Sequence, residues 1–459
     1  MQFHTIFSEK RVGSDKIPSG PRSGFQRDFD RLIFSSAFRR LQNKTQVFPL
    51  PGSAFVHNRL THSLEVASVG RSLGKMVGER ISANYKGTNE EAYEFYRYEL
   101  SNVVAAACLA HDIGNPAFGH SGEKAISAYF LERAQEPVNG QPLQSHFTDR
   151  EWNDLCTFEG NANAVRVLTH SFRGRFRGGF GLTYTTIAAI LKYPCESVAV
   201  DKRFKHRKKW GFFRTEQQTI ETIAAELGLL QESAAPLIFK RHPFVYLVEA
   251  ADDICYSIVD LEDAQRLGII RKEEASDVLI EIIKRVDEGG TEGDRAYGYF
   301  KNIEDANEAL AFLRARVINM LANKATGVFM DNSTAILSGT FNDTLTDNIN
   351  DSCGAFKAVQ DLSIAKIYSH DTVLQVELAG YNVLSELLQL FVPALLKSKP
   401  SAKEANVLKL IPYQFTAFEI TESKYEKVLC ALDFISGMTD EYATEMYRRL
   451  KGIVIPRHG

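Results

Sequence analysis

Two short stretches carry side chains that an apolar interior would not keep without a task. In residues 109–126, LAHDIGNPAFGHSGEKAI, an apolar run closes on His111-Asp112 and enters a turn rich in Gly114, Pro116, Gly119 and Gly122. An imidazole beside a carboxylate in a buried helix costs free energy unless both find partners. Metal coordination is one such partnership, and a hydrogen-bonded core pair is the other. In residues 249–264, EAADDICYSIVDLEDA, Asp252, Tyr256 and Asp260 recur every four residues, so they share one face of an otherwise apolar helix. Glu249 and Asp263 extend that polar stripe. His62, in HNRLTHSLEVASVGR, shares a helical face with Val66 and Leu73 and reads either as a ligand or as a satisfied core histidine. Two imidazoles and two carboxylates would make a mixed nitrogen–oxygen site with room for water. That set suits Mn2+, Mg2+, Fe2+ or Co2+, and fits a closed structural zinc site poorly because it brings no thiolate.

Helices must position these groups. Leu60, Leu64, Ala67, Leu73, Val77 and Ile81 recur at mostly helical spacings. Residues 103–110 are apolar on every side, as a central buried helix requires. Residues 245–264, 307–322 and 373–392 are further helices by the same reading. Strand-like alternation is scarce, with residues 46–48, 197–200 and 416–420 the weak candidates. The expected fold is mainly α, with at most short β segments. Breaks are expected at 13–24, 85–91, 136–142, 173–181 and 287–298, and none is a long Pro/Ser linker. No repeat or low-complexity tract appears. The motifs run from about residue 40 to 260 without a boundary, which favours a core over 25–270 with a helical region over 271–459 packed on it. Residues 82–99 and 285–302 take no assignment.

Composition narrows the class without naming a function. The chain has 459 residues, 44% hydrophobic and 24% charged, which excludes a largely disordered chain and a small disulfide scaffold. Lysine and arginine number 54 against 57 acids, a net charge of -3, so any basic site must be local. The six cysteines are scattered with no C-x-x-C pair, as free thiols in a reducing cytoplasm would be. The N-terminus has no apolar core of signal-peptide length, and the longest apolar run, 103–110, is far short of a membrane span. A soluble, cytoplasmic protein with no membrane partner is expected.

The order His62, His111-Asp112, Asp252 resembles the HD superfamily of metal-dependent phosphohydrolases. RRLQNKTQVF (39–48), RLTHSLEVASVGR (59–71), AHDIGNPAFGHSGE (110–123), FEGNA (158–162), KYPC (192–195), EAADDICYSIVDLEDA (249–264) and DFISGMTDEYA (433–443) together resemble the deoxyguanosinetriphosphate triphosphohydrolase (dGTPase) family. The likeness spans about residues 25–450. It implies hydrolysis of dGTP, or of dNTPs more broadly, at the α-phosphorus to deoxynucleoside and inorganic triphosphate. It implies one divalent metal, Mn2+ or Mg2+ first, on His62, His111, Asp112 and one Asp of the 252–253 pair. Asp252 is preferred because its face carries Tyr256 and Asp260, which in the family meet the deoxyribose 3′-OH. Asp253 is the alternative.

His120 and Glu123 match the family's catalytic pair. A carboxylate that orients an imidazole is a recurrent acid/base device. The alternative reading is that Glu123 only complements a helix N-terminus. His120 would protonate the leaving 5′-oxygen or position the attacking water, and the sequence does not choose. Arg59 lies one turn before His62 and would hold the α-phosphate. Lys192 and Tyr193 match triphosphate contacts, and Gln46 a sugar- or base-edge contact. Glu159 and Asn161 fall in a matching block without a clear role. No G-x-x-x-x-G-K-[ST] motif is present. Family members commonly form hexamers, and some bind single-stranded DNA as an effector.

Two basic segments, KRFKHRKK at 202–209 and RGRFR at 173–177, run against the acidic total. Each is a solvated face, a triphosphate contact or a single-stranded DNA site. The remaining readings of function are another HD phosphohydrolase, such as a nucleotidase acting on monophosphates, and a single-stranded-DNA-binding regulator, which leaves the buried His/Asp set unexplained.

Overall fold

Glycines at a four-residue interval set the central helix crossing. Gly70, Gly74 and Gly78 lie on one face of the helix Arg59–Ser82. A Cβ added there would lie 2.4 Å from Cys108 Sγ, 2.9 Å from Ser101 Cα and 2.1 Å from the Tyr96 carbonyl oxygen. The facing helix, Leu100–Ala110, therefore packs against bare backbone, and residues 103–110 are all buried. Asn58 starts the first helix by accepting hydrogen bonds from the backbone N–H groups of Leu60 and Thr61. The crossing brings the rings of His62 and His111 to 5.3 Å.

The chain is described here from a computed structural model, over residues 1–14, 20–48 and 56–454. Residues 15–19 of the break expected at 13–24 lie outside these. The helix Val245–Arg266 crosses Arg59–Ser82 and is buried along most of its length. Ala306–Asp331 packs on both, and Lys272–Val286 packs on Ala306–Asp331. Together with residues near the N-terminus they build one apolar core. A second core joins Gly119–Glu132 to Asp371–Leu396 and Lys424–Ser436, where Leu384, Leu388 and Phe391 meet Val428, Leu432 and Ile435. The region after residue 271 thus contributes to both cores. Asp371–Leu396 has the length and composition of a membrane-crossing helix, although the longest unbroken apolar run suggested no such element. Half of its most apolar stretch is buried inside the protein.

The fold is mainly α. The short β segments are not where alternation suggested. Among the described residues, two antiparallel hairpins occur: Pro137–Val138 with Gln141–Pro142, and Gln231–Ala234 with Leu237–Phe239. Residues 46–48 carry no strand; a single bridge joins Thr45 to Asn58 beside them. Ser197–Ala199 and Tyr413–Glu419 are 3₁₀ turns. Such runs are too short for period-two patterning to distinguish a strand from a tight helical turn. The break expected at 287–298 contains the start of a helix, Glu292–Lys301, whose first turn holds Glu292 and Asp294. The unassigned residues 82–99 include a helix, Glu90–Glu94, and a π-turn, Phe95–Glu99, that buries Phe95 against Phe7. All six cysteines are free thiols, five of them buried.

Candidate functional site

His62, His111 and Asp112 converge so that one ligand atom from each lies within 4.8 Å of the others. His62 sits in the first turn of Arg59–Ser82, and His111 caps the C-terminus of Leu100–Ala110. Asp252 reaches in from Val245–Arg266: its Oδ1 is 3.1 Å from His62 Nε2 and 3.5 Å from His111 Nε2. Asp253 instead accepts a hydrogen bond from Thr346 Oγ1.

The tautomer of His111 follows from its neighbour. Its Nδ1 is 2.6 Å from the Cys108 carbonyl, which can only accept, so Nδ1 carries the proton. In the neutral form of the ring, the form that binds a metal, Nε2 is a bare lone pair, buried and without a hydrogen-bond partner among the described residues. A buried acceptor without a donor is the arrangement a cation satisfies. The donor set of two imidazoles and two carboxylates fits a divalent ion on the same ground. Electrostatics agree. Burial raises the pKa of the Asp112 carboxyl, but Arg59, His111 and His62 outweigh it and hold the group at about 2. Burial likewise opposes ionisation of Asp252, and His111 and His62 drive it well below the usual carboxylate range.

The cluster opens into a cavity of about 660 Å³ that gathers most of the residues singled out in the sequence. Gln46, Arg59, Lys192, Tyr193, His120 and Tyr256 line it along with the four clustered side chains. Glu123 and Asp260 stand behind the wall. Glu123 Oε2 accepts from His120 Nδ1 at 2.8 Å, and its Oε1 accepts from the Gly160 backbone N–H at 2.7 Å. Burial raises the Glu123 pKa, but the His120 hydrogen bond, helped by Lys209 and the Gly160 N–H, brings it below its ordinary value. The His120 side chain is 72% exposed, against 2% for His62. Asp260 is buried, accepts from Tyr368 at 3.2 Å, and is pushed up to about 8 by that burial. Arg59 is held on Asp112 at 2.7 Å. Lys192 Nζ lies 3.3 Å from Glu249, which also pairs with Arg241. Gln46 Oε1 is buried and has no partner among the described residues.

The FEGNA block now has a physical role. Gly160 supplies the N–H that holds Glu123, and a Cβ there would lie 2.2 Å from Asn115 Oδ1 and 2.6 Å from Glu123 Oε1. Glu159 caps the helix Gly160–Thr169 and pairs with Lys209 at 2.9 Å. Asn163 donates to the Gly114 carbonyl at 2.6 Å. The C-terminal block is a clamp. Asp440 accepts from Thr45 N and Phe118 N, each at 2.8 Å, and so ties the two loops on either side of the cavity. Phe118 needs that anchor, because it sits at φ 62 just before the helix of His120. Buried Lys44 donates to the carbonyls of Asn115 and Ser436.

Several cavity residues escaped the sequence reading. Tyr368 stacks on Tyr256 at 6.1 Å, yet it follows directly on a π-turn, Ser363–Ile367, with no motif to mark it. Lys208 and Lys209 end the basic run at 202–209 and line the cavity. The rest of that run divides: Lys205 pairs with Asp347, and Arg203 with Asp201. The charge run was the available signal, but local pairing decides which cations face inward.

Comparison with known proteins agrees with this geometry. A family model described as the HD domain matches residues 59–172, and one described as a phosphohydrolase-associated domain matches residues 350–449. A deoxyguanosinetriphosphate triphosphohydrolase-like protein of Synechocystis sp. is 36% identical, covering 99% of this chain and 100% of the relative. One of Pseudomonas aeruginosa is 36% identical, covering 98% and 99%. A deoxyguanosinetriphosphate triphosphohydrolase of Klebsiella pneumoniae is 32% identical, covering 94% of each. With near full-length likeness on one side and a metal-fitted His/Asp cluster on the other, the chain belongs to the dGTPase family of HD-domain phosphohydrolases and is a metal-binding hydrolase.

Proposed function

We propose that this protein is a dNTP triphosphohydrolase that cleaves dGTP, or dNTPs more broadly, at the α-phosphorus to give deoxynucleoside and inorganic triphosphate. The observation that carries this reading is a single cavity bordered by the His/Asp cluster, by His120 with Glu123 behind it, and by three lysines, Lys192, Lys208 and Lys209. The printed names of the relatives supply the substrate.

His62, His111, Asp112 and Asp252 would hold one divalent ion, Mn2+ or Mg2+. Such an ion, when bound, polarises a phosphoryl oxygen and lowers the pKa of water. Arg59 stands beside this cluster and would move its guanidinium from Asp112 to the α-phosphate. Lys192, Lys208 and Lys209 would offset the charge of the departing triphosphate. Water adds to the α-phosphorus, the bond to O5′ breaks, and O5′ takes a proton. His120 would handle that proton traffic through Nε2, since Glu123 engages Nδ1 and orients the ring. The stacked Tyr256 and Tyr368, with Asp260 behind them, would receive the deoxyribose, and Gln46 Oε1 would accept from the sugar or the base edge.

The test is product analysis. The protein is incubated with each dNTP and its ribonucleotide counterpart, with Mn2+ or Mg2+, with and without single-stranded DNA, and the products are separated by chromatography. Triphosphate and deoxynucleoside are expected. Release of orthophosphate or diphosphate would sink the reading, and orthophosphate from monophosphates would point to a nucleotidase instead.

A further inference from the structure

We propose that a second pocket, on the reverse side of the turn at residues 111–114, binds a small oxyanion of the phosphate class between Arg40 and Arg175. The pocket has a volume of about 110 Å³ and shares no lining residue with the catalytic cavity. The two are nevertheless close along the chain. Ile113 lines this pocket, while His111 and Asp112 line the other. Asn163, in its wall, is the residue that holds the Gly114 carbonyl.

The charges in this pocket are not balanced. Arg40, at the end of the short helix Ser36–Arg40, makes no ion pair or side-chain hydrogen bond among the described residues. Arg175 donates to Gln414 Oε1 at 2.6 Å and has no carboxylate partner among them. Asp433 also lines the pocket, but both of its oxygens are engaged by Arg166, at 2.7 and 2.8 Å. Burial and the neighbouring Arg175 both act to lower the pKa of the Arg40 guanidinium, the signature of like charges packed together without a counterion. An uncompensated charge in such a place is costly, and an anion removes the cost. The guanidinium fork matches a tetrahedral oxyanion, and the volume is several times what one water needs. Phe172, Phe180 and Phe415 close the apolar side, which strengthens any ion pair formed inside. The RGRFR segment is thereby divided: Arg175 faces this pocket, while Arg173 pairs with Glu419.

Inorganic phosphate is the probe, titrated calorimetrically into the metal-loaded full-length protein and three variants. Lys192→Gln weakens anion binding in the catalytic cavity and should keep the second phosphate site at wild-type affinity. Arg40→Gln and Arg175→Gln should each weaken that site roughly tenfold or more, the loss of a charge-assisted hydrogen bond. Arg175 is exposed, so its variant should unfold at the wild-type temperature and decides the matter alone if Arg40→Gln does not fold. Wild-type phosphate affinity in Arg175→Gln, loss of all phosphate binding in Lys192→Gln, or an absence of phosphate binding in the wild type would each overturn the proposal.

Discussion

Asp252 and Asp253 are neighbours on one buried helix, and their surroundings have opposite signs. Asp252 meets the two imidazoles of His62 and His111, which overcome burial and keep it ionised. Asp253 meets the Thr346 hydroxyl, and burial, with the nearby charges of Glu249 and Asp252, pushes it up to about 7. About two turns further on, Asp260 is pushed up to about 8 beside Tyr368. At the helix end, Asp263 accepts from both His57 Nδ1, at 2.8 Å, and the His57 backbone N–H, at 2.9 Å. The lesson is that a run of acids on one helix is not one kind of site. The face each acid occupies selects its partner, and the partner selects its charge.

Substitutions along this helix should therefore differ in size. Asp252→Ala removes an ionised group between two imidazoles. Metal affinity should fall by more than the roughly 10–100-fold typical of losing an outer hydrogen-bonding partner, with triphosphate release abolished. Metal analysis of the purified variant checks this, and wild-type metal content would remove Asp252 from the ligand set. Asp260→Ala should raise KM for a dNTP roughly five- to tenfold by removing the acceptor that holds Tyr368, while metal content stays unchanged. Asp253→Asn keeps an acceptor for Thr346 and should alter turnover by less than about threefold, within the net worth of one hydrogen bond. A Asp253→Asn variant that lost its metal would reverse the contrast.

The smallest effect concerns pH. Burial would lower the His57 pKa, but the hydrogen bonds it donates to Asp263 and Glu65 outweigh burial and raise the group to about 10 from an ordinary 6.5. A histidine raised on folding contributes its stability in full below the unfolded value, and loses it as pH climbs through the folded one. The unfolding temperature should thus decline between pH 7 and pH 10, and decline less in His57→Ala. Equal slopes in the two proteins would show that the His57–Asp263 contact does not tie down this helix end.

Much of the site was legible because its pieces are local. His111-Asp112 announced itself as a polar pair ending an apolar helix, and the four-residue interval of Asp252, Tyr256 and Asp260 gave a shared face. Ten of the twelve singled-out side chains line one cavity, and Glu123 and Asp260 support it from behind. Less legible was everything set by distant packing. Asp440 holds Thr45 and Phe118 from 395 and 322 positions away, a separation no spacing rule reaches. Tyr368 enters the cavity from the end of a π-turn. Which lysines of the 202–209 run face inward depended on acids elsewhere, such as Asp347.

The sequence by itself determined the helical class, the candidate metal-ligand types and the three helices that bring them, because periodicity and residue chemistry act within a few turns. Tertiary structure decided three further things. The crossing over Gly70, Gly74 and Gly78 sets the distance between the imidazoles. The Cys108 carbonyl selects the His111 tautomer. The surroundings of each aspartate decide whether it carries charge. Each of these rests on what a side chain meets across the core, and burial magnifies the energy of that meeting beyond anything local spacing encodes.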